Sequence, residues 1–62
     1  MNWRDGPSMC ALADEDGEIH AEIIRDANGT WALFQFNGAV WRVRGGFATA
    51  AAAKAYYAGL KR

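Results

Sequence analysis

Short runs in which apolar and polar residues alternate are separated by clusters of Asp, Asn and Gly, at Asp14-Glu15-Asp16-Gly17, Asp26-Ala27-Asn28-Gly29, Asn37-Gly38 and Gly45-Gly46. Alternation of this kind predicts strands with one face buried, joined by tight turns. Asn37-Gly38 is the strongest turn signal, because a two-residue type I′ turn needs positive φ at both positions. Built on that turn, the hairpin pairs Phe36 with Ala39, Phe34 with Trp41, Leu33 with Arg42 and Trp31 with Arg44. One face then collects Ala32, Phe34, Phe36, Trp41 and Val43, the expected core. The other collects Trp31, Leu33, Gln35, Val40, Arg42 and Arg44.

A four-residue loop over 26–29 pairs Arg25 with Thr30, sending Ile19, Ala21 and Ile23 to the core and His20, Glu22 and Ile24 to the outer face. A three-residue loop would put Glu22 on the core face and is disfavoured for that reason. A further strand over 8–13 would place Cys10 and Leu12 inward. From Thr49 the pattern changes to Ala50 through Ala58, a helix with Thr49 as N-cap, Ala50, Ala53 and Tyr57 as its packing stripe and Gly59 at C′. The expected fold is α+β, an antiparallel meander of three or four strands with one C-terminal helix on one face. It is a single domain, with residues 1–7 and the last two mobile.

Composition narrows the classes. In 62 residues, 52% hydrophobic and 13% aromatic, there is too much apolar matter for disorder and too little chain for a large catalytic cleft. A lone cysteine, Cys10, offers no staple, and with a single histidine, His20, no tetrahedral zinc site can form within one chain. No metal and no cofactor is expected. Neither a signal-type apolar run nor about 18 consecutive apolar residues occurs, so the expectation is a cytoplasmic protein away from membranes.

The formal net charge of zero changes the picture once it is read along the chain. All seven acids fall within the first 26 residues beside only Arg4 and Arg25, leaving that half at −5. Residues 27–62 carry five cations and no acid, for +5. Such asymmetry speaks to partners rather than to fold.

Candidate chemistry is sparse. His20 and Glu22 share a strand face at spacing two, the pattern of a general acid and base, but with no pocket in view they read as an exposed histidine beside a solvated carboxylate. The glycines lack the order of a phosphate-binding loop. No enzyme activity is expected. Four large apolar residues on the outer face, Ile24, Trp31, Leu33 and Val40, with Arg42 and Arg44 beside them, suggest a covered surface. The cover is a partner, which could be a second copy forming a homodimer, or else the N-terminal segment with Trp3 and Met9 folding back. The acidic patch Asp14, Glu15, Asp16 and Glu18 reads either as a solvated hairpin tip or as a mimic of phosphate for a cationic groove.

Gly29-Thr30-Trp31, the Asn37-Gly38 hairpin, Gly46-Phe47-Ala48-Thr49-Ala50 and Ala52-Ala53-Lys54-Ala55-Tyr56 together resemble the three-stranded DNA-binding domains of ethylene-response factors and the arm-binding domains of tyrosine-recombinase integrases. The resemblance spans Gly29 to Leu60, about half of the chain. It implies a sheet read into the DNA major groove by Trp31, Arg42 and Arg44 on the face away from the helix. A neutral domain with few cations opposes strong binding to nucleic acid. The leading expectation is therefore a small non-catalytic protein-interaction module of the kind phages and mobile elements encode. Its sharper form is an anti-CRISPR-like inhibitor of a nucleic-acid-handling host enzyme, and DNA binding is the alternative.

Overall fold

The computed structural model describes residues 2–60. Five strands, β1 (Asn2–Asp5), β2 (Met9–Ala13), β3 (Ile19–Arg25), β4 (Trp31–Phe36) and β5 (Trp41–Phe47), precede one helix, α1 (Ala50–Leu60). They form one antiparallel sheet in chain order, with α1 across β3, β4 and β5. The class is thus α+β as expected, with five strands rather than three or four. The difference lies at the N-terminus. Residues 2–5, expected to be mobile, pair along β2 from Asn2–Ala13 to Asp5–Cys10, and extend the sheet instead of folding over it. Met1, Lys61 and Arg62, to which the same expectation applied, lie outside the described residues.

Hydrogen-bonding side chains in the turns set the register. In the β3–β4 turn the Asp26 carboxylate accepts the amides of Asn28 and Thr30 and the Thr30 hydroxyl, while Asp26 N–H donates to the Thr30 carbonyl. Gly29 N–H donates to the Asp26 carbonyl, and Gly29 takes φ 83°, which a side chain would resist. This is the three-residue hairpin loop, a type I turn closed by a left-handed residue. It pairs Arg25 with Trp31 and Ile23 with Leu33, one residue away from the expected register. A slip of one exchanges the faces. Leu33 therefore joins Ile23, Ala21, Cys10 and Leu12 under α1, and Phe34, Phe36, Trp41 and Val43 are turned to the opposite side. The objection to the three-residue loop, that it puts Glu22 on the core face, falls away because Glu22 and its partner Phe34 stand on the face that α1 leaves open.

The β4–β5 turn differs as well. Phe36 pairs with Trp41 and Asn37 N–H donates to the Val40 carbonyl, leaving Gly38-Ala39 as a two-residue loop, one position on from the expected one, with Asn37 Oδ1 accepting the amides of Ala39 and Val40. Only Gly38 is left-handed there, so no type I′ turn forms. The shift from the expected pairing is two residues, which preserves the sorting of faces within this hairpin. Gly45 and Gly46 lie inside β5 rather than in a turn. Between the pairs Leu33–Arg44 and Trp31–Phe47 the register shifts, and Gly46 at φ 87° supplies the bulge. The extra residue returns Phe47 to the helix side, where its ring lies 5.4 Å from that of Tyr56.

Helix α1 begins as its sequence requires, with the Thr49 hydroxyl accepting the Ala52 amide at 3.0 Å. Ala53 and Tyr57 are buried on the sheet and Ala50 packs beside them. Gly59 is helical rather than a left-handed C′ residue, since α1 runs on to Leu60. Tyr57 meets Trp3 edge to face at 5.9 Å, and Lys54 Nζ donates to Asp5 Oδ1 at 2.8 Å, so α1 also holds β1.

Candidate functional site: the open sheet face and its acidic end

The face away from α1 is built row by row from the register. One cross-strand row runs Arg4, Ala11, Glu22, Phe34, Val43. The next carries Met9, Ile24 and Ala32, with Gly45 against the Ala32 methyl. Phe36 and Trp41 pair at the other end, their rings 5.1 Å apart. Trp41 keeps 46% of its surface exposed and Val43 keeps 60%. Met9 and Leu33 are equally apolar, yet Met9 on this face is 39% exposed and Leu33 under the helix only 2%.

At the end of this face lies a cleft of about 290 Å³ between the β2–β3 turn and the β4–β5 loop, lined by Glu18, His20, Phe36 and Asn37. The turn repeats the construction of the Asp26 loop. Asp14 Oδ1 accepts the amides of Asp16 and Glu18, and Asp14 N–H donates to the Glu18 carbonyl. His20 falls at the register shift between β2 and β3, and its Nε2 lies 2.9 Å from Asp14 Oδ2. An ionised carboxylate can only accept, so Nε2 is the donor. That bond, helped by the Glu18 and Asp16 amides, holds the Asp14 carboxyl below its ordinary 3.8. His20 is thus tied to Asp14 rather than to Glu22, and the acidic turn is braced against the sheet.

The residues expected to form one interface are divided. Leu33 is in the core, and Trp31 packs against it. Arg44 lies on the helix side with its guanidinium 4.8 Å over the Tyr56 ring. With Arg42 it borders a cleft of about 190 Å³ between β5 and α1. Among the described residues the ion pairs are Asp14–His20 and Asp5–Lys54, and neither involves these arginines. Ile24 stands on the open face, and Val40 is exposed in the β4–β5 loop. What sequence reasoning missed is that Met9, Phe34, Phe36, Trp41 and Val43 line the surface. The signal was present in the spacing of Asp26, Gly29 and Thr30, which specifies the three-residue loop.

Other chemistry has little to stand on. Cys10 is buried under α1, where burial, followed by a hydrogen bond to Asp5, pushes its thiol upward. Among the described residues no three His, Cys, Asp or Glu side chains are placed to hold a metal, and no helix is long and apolar enough to cross a membrane. Set against family models, curated proteins and solved structures, the chain has no significant match.

Proposed function

We propose that the protein is a non-catalytic interaction module that docks another protein on its open sheet face. The observation that carries this reading is the uncovered set Met9, Ile24, Phe34, Phe36, Trp41 and Val43, spread across four of the five strands. Strands spaced about 4.8 Å apart and about 20 Å long give the whole five-strand face an area on the order of 500 Å², of which these apolar side chains form a contiguous part. Its aromatic anchors, Phe34, Phe36 and Trp41, stand on β4 and β5 beside the charged Glu22 of the central strand, and aromatic side chains are what interface hot spots favour. The acidic turn adjoins the same face through the Glu18–Phe36 cleft, so the apolar anchors and the acids belong to one continuous surface. Such a surface suits an inhibitor that covers a cationic, nucleic-acid-handling site on a host enzyme, as phage and mobile-element proteins do. The DNA-reading alternative needs cations on the face away from the helix, where Arg4 is opposed by Glu22, while Arg42 and Arg44 stand beside α1.

The test is capture from a host lysate treated with nuclease, using the wild-type chain and a Trp41→Ser, Val43→Ser variant. Both positions are exposed, so the variant keeps the fold, which circular dichroism checks. A specific partner retained by the wild type and lost by the variant is expected. Equal retention by both would sink the proposal.

A further inference from the structure

We infer that the occupant of the open face is a basic amphipathic helix of another protein, an inference that rests on the docking reading above. An extended segment laid flat on this face would bury its own unpaired amides and carbonyls against Phe34, Val43 and Ile24. Strands add at sheet edges, whereas a helix satisfies its backbone internally and can lie on an apolar face. A helix about 10–12 Å across spans two to three strands, the width of the stripe formed by Phe34 and Phe36 on β4 with Trp41 and Val43 on β5.

The acids fix its charge. Glu22 is half-buried on the central strand, directly between Ala11 and Phe34, and Glu18 stands at the acidic end. The face's arginine, Arg4, is on the edge strand beyond Ala11. A wholly apolar cover over β3 to β5 would strip water from Glu22 and leave it unpaired, which is costly. Lys or Arg along the flank of the docked helix that faces β3 supplies the missing partner.

A second copy fits poorly. A two-fold stack centred on the sheet sets Glu22 against Glu22. The described part of α1 in another copy offers Lys54, already bonded to Asp5.

Two labelled probes of about 18 residues, one a Leu/Lys amphipathic peptide and the other its Leu/Glu counterpart, separate these cases by fluorescence anisotropy at physiological salt. The Leu/Lys peptide should bind at least about tenfold tighter than the Leu/Glu peptide, losing about tenfold on Trp41→Ser, Val43→Ser and several-fold on Glu22→Gln. Equal binding of the two peptides, or Leu/Lys binding indifferent to the Trp41→Ser, Val43→Ser change, overturns the inference. So does sedimentation of the wild type as a dimer that this variant abolishes. If the lysate partner is lost by the variant while the Leu/Lys peptide fails to bind, the helix falls and the docking face stands. If partner capture is indifferent to the variant, both fall.

Discussion

Leu33 keeps 2% of its surface exposed beneath α1, while Phe34, the next residue, lies half-exposed on the far side of the sheet. Hydrophobicity does not distinguish them, and the hydrogen bonds of the Asp26 loop do. Two substitutions translate this into stability. Leu33→Ala removes a side chain packed against Ile23 and should cost about 2–5 kcal/mol, a large share of the stability a 62-residue domain commands. Val43→Ser, at a position 60% exposed, should stay within about 0.5 kcal/mol of wild type. Urea midpoints measure both. The opposite ranking would mean that α1 covers the other face.

At the scale of elements, the two Asp-led turns hold the sheet in register, and both depend on ionised carboxylates. The Asp26 carboxyl lies below its ordinary 3.8 because the Thr30 hydroxyl, then the amides of Asn28 and Thr30, favour the charged form, and Asp14 behaves alike through His20 and Glu18. A folded value below the unfolded one contributes stability that is complete above the unfolded value and is lost as pH falls through the folded one. The urea midpoint of the wild type should therefore drop as pH falls from about 5 to about 2, and that drop should be shallower in Asp26→Asn, whose amide does not titrate, with Asp14 supplying part of what remains. Parallel pH profiles for the two proteins would remove Asp26 from the account. The same turns explain how much could be read from sequence. The N-cap at Thr49, the stripe Ala53 and Tyr57, and the inward Cys10 and Leu12 were legible, because each depends on local spacing. The face of β4 was not, since Trp31 and Leu33 on one side are as apolar as Phe34 and Phe36 on the other. Periodicity gives the alternation of a strand and leaves open which half is buried; here a loop one residue shorter than expected decided it. The candidate site inherited that inversion, keeping only Ile24 and the acidic turn on the surface proposed for docking.

For the whole molecule, the charge asymmetry of the sequence carries over in part among the described residues, with the Asp5–Lys54 ion pair joining the two halves beside α1. Glu22 and the turn from Asp14 to Glu18 adjoin the open face, and Arg42 and Arg44 flank α1 on the other. Nucleic acid approaching the open face meets carboxylates, and approaching the helix side it meets, among the described residues of the edge strand β5, Arg42 and Arg44. Duplex binding that uses this pair displaces counterions from about two phosphates, so log K should fall against log salt with a slope of about −2 and binding should be weak at physiological salt. A titration by anisotropy with a short labelled duplex measures the slope. Arg42→Ala with Arg44→Ala should abolish whatever binding persists at low salt, and Trp41→Ser with Val43→Ser should leave it unchanged, because the two pairs of residues face opposite sides of the sheet. Tight binding at physiological salt that disappears with Trp41→Ser, Val43→Ser would reverse the ranking, making the open face a reader of DNA and the protein partner the lesser hypothesis.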